Sequence, residues 1–600
     1  MGPDRRTAQA QRVGDLTRLA QVVPDVPSFS VDDGFTYEVP EVLAAIDVGD
    51  LVRIPLGGRR VRGYVTNVSD GTPDRALRSI AARSGKRGVF GASMLESLRW
   101  AATHYVAPLS TVLSRCTPPN VPRGVPKVQR GPVEARDGVL SEWAGRQVEK
   151  GRTRPAYLLH GDPVDEVIAA IAPVLSAGNN VIVAAPTVTE AHSTVAALRS
   201  VFAERVWSAT AEDTPAQRTR AWTQLAEPTG SVVVGTREVA FWGTSGLGLA
   251  IVIDEGRRAY KSPQTPTYHV REVLRRRSVI ERFGLLLTGA VPTSEALAAG
   301  VEIVRERRRI WPLVDVVDRT AESAGSGLVS DRSRHVLAAM GDFGTAFVLV
   351  PRRGGAYRCS RCRELHVCVE CGSMLDRAGQ CPRCSRSYPS CTACHGTRFE
   401  ALGASIPRIV ADLRRTMGSD VGPAGSGSRI SVGTERDLVG APRVDLVVIV
   451  DPDTALLAPT YRAEEDALRL LARAVLVAKP GRGRRALIES RLPEHRVLAA
   501  LRSGDPVPFM AETQQEREKS GFPPVGELLA IETDAEGAHE LLEAATEGVA
   551  LLGPVAEDGR ERWLVQGSDL GRARVRLRAA IQQLRDAGAR VRIDVDPVEL

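Results

Sequence analysis

Nowhere in this chain do apolar residues run uncharged for the roughly 18 positions that a membrane-spanning helix needs. The opening stretch MGPDRRTAQAQRVGDLTR carries charges but no apolar segment, so neither export nor membrane insertion is expected, and the cytoplasm is the expected setting. Aromatic residues are scarce at 4%, while the hydrophobic share of 43% and the charged share of 25% are ordinary globular values. That composition excludes a collagen-like, coiled-coil or wholly disordered chain. Cysteine is almost absent outside one stretch: of nine, all but Cys116 lie between Cys359 and Cys394. In a reducing compartment such crowding excludes a disulfide framework and implies metal. Charge of one sign is also in short supply, since Lys+Arg 79 against Asp+Glu 72 leaves only +7. That balance suits a nucleic-acid partner without requiring one.

What is there is length, and 600 residues imply several domains. Residues 1–18 are polar and are expected to form a disordered tail. Short alternating strands with glycine turns, FTYEVP from Phe35, DLVRIPL from Asp50 and VRGYVTNV from Val61, predict a β-rich domain. A helical stretch from Ala92 to Cys116 closes it, giving residues 19–116, and a Pro/Gly/Arg-rich linker with one short helix spans 117–153. From Arg154 wholly apolar runs such as NVIVAAP, SVVVGT, LAIVIDE and FGLLLTGA alternate with helical segments, the pattern of buried parallel strands in an α/β lobe over 154–325. A second set, TAFVLVPRR, RISVGTE, DLVVIVDPD and RALIES, predicts another lobe over 326–356 and 401–505, interrupted by an insertion at 357–400. Residues 506–600 end in an amphipathic helix and a strand, a small α+β domain.

The insertion holds four CxxC knuckles in succession: Cys359/Cys362, Cys368/Cys371, Cys381/Cys384 and Cys391/Cys394. Each knuckle aims two sulfurs at a point about 2.3 Å away, and two knuckles complete a tetrahedral thiolate site. Eight ligands therefore suit two Zn²⁺ ions, both closed to water and so structural rather than catalytic. Reactive or disulfide-switching thiols are the alternative reading, and His366 and His395 are spare ligands within the cluster. Spacing leaves sequential and nested pairing of the knuckles equally open.

Asp254 and Glu255 end the apolar strand LAIVIDE, an arrangement that can hold Mg²⁺ and a water beside a nucleotide. With GTRE one strand earlier, TGAVP one strand later, the zinc insertion and the DVDPVEL ending, the chain resembles the PriA family of bacterial replication-restart helicases. The resemblance implies a 3′-end DNA-binding domain at 19–116 and two RecA-like helicase lobes carrying the zinc insertion. It also implies nested zinc pairing, with Cys359, Cys362, Cys391 and Cys394 in one site and Cys368, Cys371, Cys381 and Cys384 in the other. For the 3′-end pocket it points to Phe35, Thr36 (where the family has an acid), Gly57 and Arg78 (where it has a lysine). Branched or forked DNA, other primosome proteins, the replicative helicase or its loader, and single-stranded DNA-binding protein are the implied partners of a monomer working at the nucleoid.

The departures from the family bear on its motor. Where the family has a Gly-rich loop ending in Gly-Lys-Thr, this chain reads Leu158-Leu159-His160-Gly161-Asp162-Pro163-Val164-Asp165-Glu166, without the lysine or the hydroxyl and with acids that repel phosphate. The acidic box continues as Gly256-Arg257, and the second lobe's arginine element maps onto Arg473 to Pro480, with Val477 and Pro480 at the arginine positions. The family's winged helix has no counterpart of sufficient length in 117–153. Gly161, Asp254 and Glu255 then read as a relic nucleotide site with ATP and Mg²⁺ lost. The expectation is a non-enzymatic restart protein that recognises arrested nascent DNA and scaffolds primosome assembly and helicase loading. An ATP-dependent 3′-to-5′ helicase with a non-standard nucleotide site is the alternative. Basic runs at Arg275–Arg277 and Arg307–Arg309 are candidate phosphate contacts or solvated faces.

Overall fold

The first strand, Thr17–Pro24, begins inside the stretch expected to be a tail. The computed structural model describes residues 17–121, 133–151, 154–159, 163–243, 245–305, 311–320, 322, 327–351, 356–362, 364–370, 375–376, 378–381, 386–402, 405–458, 460–479, 485–557 and 559–598. Most of the expected tail, the basic run Arg307–Arg309 and much of the linker therefore lie outside them.

The amino-terminal sheet is antiparallel, in the order Phe35–Glu38, Thr17–Pro24, Arg59–Gly71, Leu51–Leu56, Ala82–Ser84. Helices Ala92–His104 and Leu109–Ser114 follow it. The next sheet has seven parallel strands, with Leu247–Val252 between Gly284–Gly289 and Asn180–Ala184. Its strands are buried throughout their centres because helices cover both faces, which is why they read as unbroken apolar runs. A second parallel sheet of six strands places Leu446–Val450 between Ala346–Leu349 and Arg485–Ser490.

One boundary is corrected. Leu313–Asp318, expected in the first lobe, pairs with Arg485–Ser490 at the edge of the second sheet. It is half-exposed with no clear two-residue period, and nothing in such a strand states which sheet it joins. The cysteine insertion is framed by a two-stranded ladder, Ala356–Cys359 with Phe399–Leu402. The carboxy-terminal sheet, Ala550–Glu557, Arg560–Gly567, Glu527–Thr533, Val591–Val595, is antiparallel and carries helix Gly571–Asp586.

The cores are unevenly shared. One apolar cluster runs from the amino-terminal helices (Leu98, Val112) through the first lobe (Trp222, Trp242, Leu274) into the carboxy-terminal domain (Leu529, Trp563, Leu577). The second lobe has clusters on the two faces of its sheet, and among the described buried residues one of them also takes in Ala290 and Val291 of the first lobe and Phe509 and Met510 of the carboxy-terminal stretch. Polar contacts reinforce the large cluster. Phe29 lies under Arg578 and Arg585, Asp32 pairs with Arg578, and Thr267 Oγ1 donates to Ile593 O and accepts from Val595 N, both at 3.2 Å.

Candidate functional site

The 3′-end candidates lie on an exposed edge of the amino-terminal sheet. On the strand Phe35–Glu38, Phe35 is 41% exposed and Thr36 is open to solvent, while Tyr37 is buried and donates from its hydroxyl to Pro55 O at 3.2 Å. Tyr37 thereby ties this strand to the hairpin whose turn contains Gly57. Gly57 has φ +54° and open space where a Cβ would stand, so its backbone is approachable from outside. Arg78 is exposed, its carbonyl accepts from Glu38 N at 3.0 Å, and its charge acts on the Tyr37 phenol.

The two acids of the first lobe go to different partners. Glu255 is fully buried. It accepts from Arg271 Nη1 at 2.5 Å, from Thr293 N at 2.9 Å and from Thr293 Oγ1 at 3.2 Å. It is a satisfied structural ion pair. Asp254 has φ +50° at the strand end, a conformation aspartate tolerates better than most residues. Its Oδ2 lies 3.3 Å from Arg257 Nη1 and 3.3 Å from Arg473 Nε of the second lobe. The outer sides of these arginines are held by Glu190 and Glu435, each at 2.9 Å. As folded, both carboxylates are engaged by guanidinium groups, which does not fit a Mg²⁺-bound nucleotide; Gly161 lies outside the described residues. The sequence named Arg257 and Arg473 without their pairing to Asp254 and did not indicate Arg271 at all; the contact of Arg473 with Asp254 joins segments far apart in the chain.

Of the basic run Arg275–Arg277, Arg277 is buried, donating to Glu281 at 2.8 Å and to Ala240 O at 2.7 Å, and Arg275 pairs with Glu272. Arg276 lies over Trp100. Arg277 is thus committed inside the first lobe, Arg276 reaches an amino-terminal helix, and Arg275 stays partly exposed.

In the insertion, the ligand atoms of Cys359, Cys362, Cys391 and Cys394 all lie within 4.8 Å of one another, with Cys359–Cys394 and Cys362–Cys391 each at 3.5 Å. Tetrahedral thiolates about 2.3 Å from zinc stand roughly 3.8 Å apart, so these four residues fit one Zn²⁺. Backbone N–H groups of Cys362 and Arg361 pull the Cys359 thiol below its usual range, while contact with the neighbouring sulfurs pushes Cys362 up. Cys368 and Cys381 are buried beside Leu375, with Tyr388 packed against them. Cys371 and Cys384 lie outside the described residues. His366 is stacked on Phe399 at 3.6 Å.

A cavity of about 270 Å³ opens where the amino-terminal helices, both lobes and the carboxy-terminal domain meet, lined by His104, Lys261, His269, Arg462 and Asp596 among others. Burial pushes the histidines well down, so they are neutral here, and raises Asp596 to about 6. Among the described residues no helix is long and apolar enough to cross a membrane.

A family profile described as 3'DNA-binding domain (3'BD) matches residues 21–118, and one described as Primosomal protein N C-terminal domain matches 518–598. The chain is 26% identical to replication restart protein PriA of Treponema pallidum (strain Nichols), over 97% of this chain and 99% of that one. It is 27% identical to the probable replication restart protein PriA of Deinococcus radiodurans over 74% of this chain, and 24% identical to PriA of Bacillus subtilis over 63%. It spans about half the length of those two relatives, 54% and 53%. Solved structures with similarity include RecG bound to a three-way DNA junction (12% identity, 84% of this chain and 75% of that one, TM-score 0.37). The helicase MrfA bound to DNA is another (11%, 72% and 61%, TM-score 0.37). The expectation of a non-enzyme is corrected: a relative aligned over 97% of this chain and 99% of its own length is a replication restart protein PriA, and a non-enzymatic reading conflicts with that likeness.

Proposed function

We propose that this chain, a homologue of the PriA replication restart proteins, recognises the 3′ end of a nascent strand at an arrested fork and promotes reassembly of the replication machinery there. The observation that carries this reading is the match of the 3′ DNA-binding profile to residues 21–118, over the edge where Phe35 and Thr36 face solvent and Gly57 leaves its backbone open. In this reading Arg78 contacts a phosphate close to the strand end, and the helicase-type core acts on DNA with a non-standard nucleotide site. Other primosome proteins, the replicative helicase or its loader, and single-stranded DNA-binding protein are its partners, and it works as a monomer at the nucleoid. The insertion holds two structural Zn²⁺ ions, one on Cys359, Cys362, Cys391 and Cys394 and one on Cys368, Cys371, Cys381 and Cys384.

Competition binding at fixed salt tests the central claim. A fork with a free nascent 3′ hydroxyl should bind more tightly than the same fork with a 3′ phosphate, because a terminal pocket must admit the strand end rather than track the backbone. Arg78→Ala should weaken fork binding and lower the salt slope by about one unit. Equal affinity for both fork ends would reduce this edge to a generic DNA-binding surface.

A further inference from the structure

Helix Val507–Lys519 joins the second lobe to the carboxy-terminal sheet and reaches the first lobe on the way. Its first turn buries Phe509 and Met510 in the second lobe's apolar cluster, and its last turn carries Arg517, which is almost fully buried. There Arg517 meets an acid from each lobe: Glu465 of the second, itself fully buried, and Glu295 of the first, 3.6 Å away. The lobes also cross-pair, since Ser294 Oγ donates to Glu465 at 2.5 Å and Arg462 pairs with Glu295. Burial alone would raise the Glu295 carboxyl, but Arg462, Arg271 and Arg517 together hold it well below the usual range. Glu295 thus depends on cations from its own lobe, from the second lobe and from this helix.

The carboxy-terminal domain grips the same place by a second route that needs no ion pair. Tyr461, just ahead of helix Ala463–Val475, stacks on Phe522 at 4.8 Å with the rings 9° from parallel, and its hydroxyl donates to Pro597 O at 3.3 Å. Both ends of the domain therefore hold one tyrosine of the second lobe. The Arg517 guanidinium lies over that ring at 5.1 Å and donates from Nη1 to Pro523 O at 3.2 Å. The turn that follows is tight: a Cβ on Gly526 would stand 1.9 Å from Gly521 O. Little slack is left between strand Glu527–Thr533 of the domain and Arg517.

We infer that Arg517 and Tyr461 form a lock by which the carboxy-terminal domain fixes the angle between the lobes, so that the second lobe turns against the first only when Arg517 leaves Glu465. The shared apolar cluster already joins the carboxy-terminal domain to the first lobe, and the lock fastens the second lobe to that pair. An arginine suits the task, because its planar, permanently charged guanidinium can serve two acids and a carbonyl at once. The linkage is reciprocal: whatever displaces the carboxy-terminal domain loosens the lobes, and whatever draws the lobes apart loosens the turn at 521–526.

Hydrogen exchange of the full chain, read by mass spectrometry, tests the lock. Arg517→Met, which keeps the stem and removes the charge, should speed amide exchange at least about fivefold along Ala463–Val475 and Ser294–Ala298 while leaving the central strand Leu446–Val450 unchanged. A buried acid left without its partner is destabilising in itself, so two further variants separate the lock from that damage. Tyr461→Leu strands no acid and should give the same pattern, and combined with Arg517→Met it should add little, because both open one lock. Arg517→Lys, which keeps a charge between the acids, should restore most of the protection. Unchanged exchange along both helices in Tyr461→Leu or Arg517→Met, acceleration that spreads equally to Leu446–Val450, fully additive effects, or no rescue by lysine would overturn the inference. The fork competition reads the amino-terminal edge, so the two tests fail independently.

Discussion

Asp596 closes the last strand with φ +48°, and burial raises its carboxyl to about 6 against the opposing pull of Lys261, Arg574 and Arg462. An unfolded aspartate titrates near 3.8. Between these values the folded protein holds a proton that the unfolded chain has released, so this group's contribution to stability falls as pH rises through the window and is lowest above about 6. Asp596→Asn should therefore stabilise the protein at pH 7.5 by on the order of 1–3 kcal/mol, with the gain vanishing below about pH 4. Urea midpoints across that range check it; a gain that persists in acid would belong to the amide's own hydrogen bonds. The same residue shows what the sequence conceals at this scale. Asp254, Glu255 and the cysteine spacing were visible as chemistry-bearing patterns. The partners that decide what the acids do, Arg271 and Arg473, were visible only as arginines on helices, since their meaning comes from a contact made in three dimensions.

Elements were legible where burial is symmetrical. Leu247–Val252 and Leu446–Val450 are enclosed on both faces, so an unbroken apolar run identified each as a central parallel strand. Leu313–Asp318 is a partly exposed edge strand without alternation, and its assignment to the first lobe failed because such a strand carries no mark of its neighbour. The knuckles lie between these extremes. Their spacing announced metal but not pairing, and the ladder of Ala356–Cys359 with Phe399–Leu402 is what draws the outer two together. If the inner knuckles form a second, independent site, Cys381→Ser should lower the zinc content from two ions per chain to one and leave the outer site loaded. Metal analysis of the purified full chain decides it, and one ion per unmodified chain would remove the second site.

At the scale of the whole molecule, the uneven sharing of cores predicts uneven stability. The amino-terminal helices, the first lobe and the carboxy-terminal domain share one apolar cluster, so none of the three can lose its packing alone. The second lobe shares far less apolar surface with them, Ala290, Val291, Phe509 and Met510 in its cluster and the Tyr461–Phe522 stack, and the rest of the junction is a seam of ion pairs, whose net worth is smaller than that of buried apolar area because desolvation offsets much of the attraction. It should unfold first, as a cooperative unit of its own. Tryptophan placement makes this readable. Of the seven tryptophans, Trp311 packs in the second lobe's cluster, while Trp100, Trp143, Trp207, Trp222, Trp242 and Trp563 belong with the clusters of the rest. Trp311 Nε1 is buried with no hydrogen-bond partner among the described residues, so Trp311→Phe loses ring area but also removes an unsatisfied donor. Urea titration should therefore show two fluorescence transitions in the unmodified protein, the earlier one absent in Trp311→Phe while far-ultraviolet circular dichroism still reports it. Raised salt should move that earlier transition to lower urea by screening the seam, with the later one less affected. One transition, superimposable by both probes in both proteins, would mean that the charged seam couples the lobes as tightly as the shared core does.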